Sequence, residues 1–408
     1  MEKVQFQLES TLPELKDFHD KGLFTKNEID QITRRRTVFE TSLIRRHTRK
    51  DDFFKYAEYE INLERLRKVR WKKLGYHINP PPPSASSYSL PRRAIYILKR
   101  ATVKFPGDLA VWLAYVEYAS REGMRKIVSK GLTLALQHHP LSPTLYLLLS
   151  YHHLHPNSPF PREVIPSAST LDLPSTSSSK DTGFSLEGTA AARTQLLLGL
   201  RLIPDSEILW MEYIKLELGW VEALRRRWNV LGINDAIDSP DSNEVNAERM
   251  TGGEGSFGPD GEDARKSILA GQLVLHAIRS ALGAIEGQKG MTFRLDLVRM
   301  LRTYPSALRG KALDAVHEDL GRIAEGSDMK LAAQARLAGL TRGLYERKYV
   351  PGETDNALEG VELVEELGRI AKEIRRNAKE GSEFLEVAGE WLGEQIEAQK
   401  DNEDLVSE

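Results

Sequence analysis

Three clusters of arginine and lysine are the residues in this chain whose density could do chemistry. Arg34, Arg35 and Arg36 form one cluster, Arg45, Arg46, Arg49 and Lys50 a second, and Arg67, Lys68, Arg70, Lys72 and Lys73 a third. Closely spaced guanidinium and ammonium groups neutralise phosphates and release counterions, so a nucleic-acid surface is one reading of them. A nuclear import signal is a second. The third is a solvated helix with Glu58, Glu60 and Glu64 as local counter-charges. Between Gln31 and Gly75 there are fourteen Lys or Arg against six Asp or Glu, a net charge of +8, whereas residues 76–408 carry thirty-nine against forty-six. Consecutive residues of a helix point in different directions, so whole clusters cannot lie on one packed face. The Phe and Tyr of this block stand at helical core spacing and leave no platform on which bases would stack. That favours an acidic protein surface over RNA as its partner, with Arg34, Arg35, Arg36, Arg45, Arg46, Arg67, Lys68, Arg70, Lys72 and Lys73 as the candidate contacts.

Other reactive patterns are weaker. His138, His139, His152, His153 and His155 are half of the histidines. They stand at helix ends beside Pro140 and Pro156 with no acid or cysteine at ligand spacing, so a favourable interaction with the helix dipole accounts for them better than a metal does. Gly253, Gly255 and Gly258 spell G-x-G-x-x-G, but neither a strand before it nor a helix after it can be read, and a phosphate cradle needs both. No Ser-His-Asp order, Walker loop or strand-borne nucleophile can be placed. No catalytic residue, cofactor or metal is therefore expected. The absence of cysteine rules out a disulfide scaffold and fits a reducing compartment. No apolar run reaches the ~18 to 20 residues of a membrane helix, and the N-terminus has no signal-peptide pattern, so an intracellular protein without membrane contact is expected.

The elements that carry these residues read as helices throughout. Leu8, Leu12 and Leu15 have helical spacing, interrupted by Pro13, which must start or kink a helix. Thr25 and Glu28 form a capping box ahead of Ile29, Ile32, Phe39 and Leu43. Asp51 or Asp52 can cap the next helix and Gly75 can end it. Pro80 to Pro83 and the serines after them make a linker. Beyond it helix pairs recur every ~33 to 34 residues, the mark of a solenoid. Trp112 and Tyr115, Trp210, Tyr213 and Glu217, and Phe53, Tyr56 and Glu60 occupy corresponding places and, with Tyr96 of a preceding helix, are expected to pack between helices. Leu145 and Leu148 hold those places once more, without an aromatic pair. The organisation expected is a basic helical region over 1–78, repeats over 79–231 with a disordered Ser-rich insert at 156–188, a Gly-rich acidic linker at 232–263, and degenerate repeats over 264–408. From Pro351 onward seventeen acids face six bases.

Two motifs make the resemblance specific. Trp210, Tyr213 and Glu217 match W-x2-Y-x3-E, while Arg93, Tyr96, Arg100, Ala101 and Pro106 match the second-helix pattern, and together they resemble the half-a-tetratricopeptide (HAT) repeat of RNA-processing proteins. The N-terminal segments KVQFQLESTLPELKD, KGLFTKNEI, RRRTVFE and FFKYAEYEINLERLRKVR resemble, more narrowly, the U3 small nucleolar RNA-associated protein 6 family. The resemblance implies an all-α, right-handed solenoid of degenerate HAT helix pairs behind an N-terminal helical segment. It also implies a non-catalytic subunit of the nucleolar small-subunit processome, partnered by WD-repeat proteins and the U3 snoRNA and pre-rRNA particle, acting in 18S pre-rRNA processing. The alternative is an RNA-binding HAT-repeat protein of another RNA-processing complex.

Overall fold

The computed structural model describes residues 2–161, 186–230, 264, 266–326, 328–346, 360–377 and 383–393, and all regular structure among them is helical. The heart of the Ser-rich insert (162–185), the Gly-rich acidic stretch with Gly253, Gly255 and Gly258 (231–263) and the end of the acidic tail (394–408) lie outside the described residues. Contacts divide the chain into two compact units, Met1–Gln195 and Leu196–Glu408.

The first unit contains α1 (Glu2–Glu9), α2 (Leu12–Asp20), α3 (Lys26–Leu43), α4 (Lys50–Lys73), α5 (Ser89–Lys104), α6 (Leu109–Arg121), α7 (Arg125–His138) and α8 (Pro143–Leu154). From α3 onward each helix packs on the next, and α1 and α2 pack on α3. The local signals for these helices are mostly physical caps. The Thr25 amide donates to the Glu28 carboxylate at 2.8 Å, while the Glu28 amide donates to the Thr25 hydroxyl at 3.4 Å. At α4 the cap is different from the one expected: Arg49 is the N-cap residue, and Asp52 reaches back to accept its amide at 3.2 Å. Gly75, at φ 72°, lets the chain leave α4 in the left-handed region that its lack of a Cβ makes easy. The expected leucine stripe before Thr25 is corrected. The chain breaks between α1 and α2, Pro13 sits in the first turn of α2, and the helical phase resets, so Leu15 and Phe18 are buried but Leu12 is 57% exposed.

One hydrogen bond recurs along the chain. Trp112 Nε1 donates to the Pro106 carbonyl at 2.9 Å, the Tyr146 hydroxyl to the Pro140 carbonyl at 3.0 Å, and Trp210 Nε1 to the Pro204 carbonyl at 2.8 Å. Each aromatic lies six residues after its proline, on the first turn of the helix that the proline loop introduces. Its ring is buried, and its single polar atom satisfies a carbonyl freed at the end of the preceding helix. The repeat register after Trp112 is therefore corrected by one residue: Tyr146, not Leu145, holds the aromatic place, and that repeat does keep its aromatic. Phe53, Tyr56, Tyr115 and Trp210 are buried as well, and Tyr213 is half-buried with its ring 6.2 Å from that of Trp210. Tyr96 departs from the expected packing set. It lies at the surface beneath the Arg100 guanidinium, and its hydroxyl accepts from Gln7.

In the second unit, which begins within α9 (Leu186–Leu202), α10 (Glu207–Val230) is followed by α11 (Gln272–Ala284), α12 (Gly287–Thr303), α13 (Arg309–Ala324), α14 (Met329–Leu340), the short α15 (Arg342–Tyr345), α16 (Gly360–Asn377) and α17 (383–393). Small residues let these helices approach closely: Ala312, Ala332, Ala333 and Ala335 are buried, and a Cβ on Gly290 would stand 2.3 Å from the Ile285 carbonyl oxygen. Arg294 fills the space beside that glycine and donates to the carbonyls of Leu282 and Ile285 at 2.9 and 3.1 Å, satisfying the open end of α11. Ile370 and Ile374 of α16 join Phe384 and Ala388 of α17 in a core with Leu337 and Leu344.

Candidate partner interface

The basic block folds as a helical hairpin, α3 running one way and α4 back, and its charges divide into three groups. The first is internal. Arg36 is wholly buried, donating from Nε and Nη2 to the two carboxylate oxygens of Glu60 at 2.8 and 2.9 Å and from Nη1 to Glu14 at 2.8 Å. Arg93 of α5 reaches the other oxygen of Glu14 at 3.4 Å, and Arg100 holds Glu40 of α3 at 2.9 Å. Burial opposes the charge on Arg36, but Glu60 and Glu14 outweigh it and hold its pKa above the ordinary value. This removes Arg36 from the candidate contact set: its guanidinium joins α2, α3 and α4 and is wholly buried, out of reach of a phosphate or a partner acid. Glu60, expected at an inter-helix position, is the acid that receives it.

The second group is engaged at the surface. Arg70 donates to both oxygens of Glu28 and to the Leu23 carbonyl while covering the Phe24 ring, its carbon 5.0 Å from the ring centre. The hydrogen bonds from Arg70, with the Thr25 amide, bring the Glu28 carboxyl down to about 2. Arg67 forks onto Glu64 at 2.6 and 2.7 Å, Lys68 lies 3.8 Å from Glu64 and 3.6 Å from Glu122, and Lys50 donates to Asp108 at 2.9 Å. These cations are already neutralised locally.

The third group is free. Arg34, Arg35, Arg45, Arg46, Lys72 and Lys73 are exposed, and none of them forms a side-chain hydrogen bond or ion pair with a described residue. They do not make one patch. Arg45 and Arg46 follow the end of α3, Lys72 and Lys73 end α4 at the far side of the hairpin, and at 1.5 Å per residue those ends stand roughly 30 Å apart. Arg34 and Arg35 lie between them, on the rim of a groove between α3 and α4 with a volume of about 710 Å³. Its floor is Ile32, Val38, Leu63 and Leu66, with Tyr59 half-buried among them. Reading the basic runs alone missed this groove.

The terminal histidines serve as packing groups. His138 stacks on Trp112 at 5.5 Å, the His139 ring nitrogen meets the Pro106 carbonyl at 3.0 Å, and His155 lies 4.8 Å from Tyr151. The expected dipole account fails for two of them: burial pushes His152 and His153 below the ordinary histidine value, which favours the uncharged ring. Among the described residues no three His, Cys, Asp or Glu gather as metal ligands would.

Residues 8–93, which include Glu14, Arg36, Glu60 and Arg93, match the family model for U3 small nucleolar RNA-associated protein 6. Over these residues the chain is similar to that family. It is 33% identical over 245 residues to the U3 small nucleolar RNA-associated protein 6 of Schizosaccharomyces pombe, covering 60% of this chain and 43% of the relative. To the human homologue it is 24% identical over 306 residues, covering 75% of this chain and 42% of the relative, and to the mouse homologue 27% identical over 225 residues, covering 55% and 32%. The chain thus spans less than half the length of the curated relatives it matches. Among the described residues no helix is long and apolar enough to cross a membrane.

Proposed function

We propose that the chain is a non-catalytic scaffold of the U3 snoRNA particle, the nucleolar small-subunit processome, serving 18S pre-rRNA processing. In this reading it acts in the nucleus within a subcomplex of WD-repeat proteins and contributes rigid protein surface rather than an active site. The observation that carries it is the match over residues 8–93 to the U3 small nucleolar RNA-associated protein 6 family.

We further infer that the helix pairs are degenerate HAT repeats of a right-handed solenoid. The aromatic-to-proline-carbonyl bond at Trp112, Tyr146 and Trp210 supports this, because it recurs with one geometry and the first two aromatics stand 34 residues apart. Affinity purification of the tagged chain from nuclear extract, followed by quantification of U3 snoRNA, tests the function. Enrichment of U3 over other small nuclear RNAs, with unprocessed 18S precursor accumulating on depletion, is expected. Recovery without U3 and normal 18S maturation on depletion would refute it.

A further inference from the structure

The groove between α3 and α4 is a feature of the N-terminal hairpin that its internal ion pairs leave unexplained. Of its apolar lining residues Ile32 and Leu63 are buried, whereas Val38 and Leu66 face solvent, 64% and 42% exposed. Along α4 the stripe Lys55, Tyr59, Asn62, Leu66, Val69, Lys73 advances by four and three residues alternately, so these side chains line one face of the helix. Opposite them on α3 stand Arg34, Arg35 and Val38. The result is an apolar trough with cations on one rim and at both ends of the other, none of them drawn into an ion pair with a described residue, while the acid that lines it, Glu28, is already held by Arg70.

We propose that this groove receives an amphipathic helix from another protein, an acidic one whose apolar stripe is flanked by Asp and Glu. Helix-in-groove recognition requires an apolar floor for anchors at i, i+3, i+4 and i+7, which Ile32, Val38, Leu63 and Leu66 supply. The rim charges select acids over bases, because a Lys or Arg of a wrong partner set beside Arg34 and Arg35 is repelled. RNA fits less well: the floor is mainly aliphatic, and Tyr59 is half-buried, its ring tilted against that of Phe39 at 5.4 Å rather than standing free for a base. The free cations at the hairpin ends lack such a floor and carry no proposal of their own.

This inference rests on the scaffold reading, and its test is independent of the U3 particle. A phage library of randomised 16-residue helical peptides is panned on the full chain, and the enriched peptides are synthesised and titrated by fluorescence polarisation. Acidic amphipathic sequences are expected, losing at least tenfold in affinity on Val38→Asp and on the pair Arg34→Glu with Arg35→Glu. The pair Arg45→Glu with Arg46→Glu, an equal change of charge outside the groove, is expected to change affinity less than twofold. All substituted positions are exposed, and circular dichroism confirms that each variant is folded. Enriched peptides without acids, affinity insensitive to Val38→Asp, or a 20-residue single-stranded RNA that binds more tightly than the peptides and is lost on Val38→Asp would each overturn the proposal. Failure here with U3 still recovered by the wild-type chain refutes the groove alone; loss of U3 recovery with peptide binding intact refutes the scaffold reading alone.

Discussion

The two units each bury an arginine, but they use it differently. Arg36 in the N-terminal hairpin is enclosed by Glu14 and Glu60, two carboxylates from two other helices, both themselves buried. Arg294 in the second unit is nearly as buried, yet two of its three partners are neutral carbonyls at the end of α11, and the third, Asp319 at 2.7 Å, keeps a fifth of its side-chain surface in water. In the first unit charge is part of the core and ties α2, α3, α4 and α5 together. In the second, close packing over alanine and glycine works beside one buried carboxylate, Glu346, which receives His317, Arg302 and Arg342, and the buried arginine caps a helix. A basic run is therefore no measure of basic surface: where helices are few and long, a phased arginine becomes an internal tie.

Breaking the two arginines should expose this contrast. Arg36→Met leaves the buried Glu60 without a cation and Glu14 with Arg93 alone, and is expected to destabilise by about 3–5 kcal/mol. Arg294→Met leaves two neutral carbonyls and the partly exposed Asp319 without their donor, and a loss of about 1–3 kcal/mol is expected. Urea unfolding monitored by circular dichroism measures both, and an equal loss in the two variants would remove the distinction. Next in size are the recurring aromatics. Trp210→Ala should lose about 3–5 kcal/mol through the cavity it opens, whereas Tyr146→Phe keeps the ring and gives up one hydrogen bond, for about 1 kcal/mol. If Tyr146→Phe proved as damaging as Trp210→Ala, the ring's packing would not be what holds that helix in register.

Helices and some of their caps were legible in the sequence because they depend on residues at most four apart, although the cap of α4 fell on Arg49 rather than on Asp51 or Asp52. The capping box of Thr25 and Glu28 is such a case. The fate of Arg36 was not, because Glu14 and Glu60 lie 22 and 24 residues away and are brought to it only by the hairpin. A signal did exist. Ile29, Ile32, Arg36, Phe39 and Leu43 advance by three, four, three and four, so Arg36 continues the apolar face, while Arg34 and Arg35 do not. Tyr146 was legible too, by counting six residues from Pro140 as from Pro106 to Trp112, rather than by counting residues from the previous aromatic. The groove was not legible, since it is a property of the gap between two helices.

A smaller effect separates engaged from free charges through pH. With its carboxyl at about 2 in the folded chain against an ordinary value of 4.5, Glu28 binds a proton more readily when unfolded. Its contribution is therefore fully present above the ordinary carboxylate value and fades as pH falls from 4.5 toward 2. Glu28→Gln should lower the urea midpoint at pH 7 slightly and remove this part of the acid dependence. An unchanged difference between variant and wild type from pH 7 to pH 3 would show that Arg70 does not hold it.

The smallest expected effect is on nucleic acid, and it turns on the same division of charges. Only Arg34, Arg35, Arg45, Arg46, Lys72 and Lys73 among the candidate cations are free to release counterions, because Arg36, Arg67, Lys68 and Arg70 already face carboxylates. With roughly −0.7 in log K against log salt for each neutralised single-strand phosphate, six free cations set a ceiling near a slope of −4. The hairpin geometry lowers it further, since sites some 30 Å apart on different faces do not follow one strand. Weak RNA binding with a slope shallower than −3 is expected, reduced by Arg45→Glu with Arg46→Glu and indifferent to Arg67→Gln with Lys68→Gln. A steeper slope, or one that depends on Arg67 and Lys68, would mean that RNA pulls these side chains off Glu64 and Glu122, and the separation of internal, engaged and free charge would not survive contact with a polyanion.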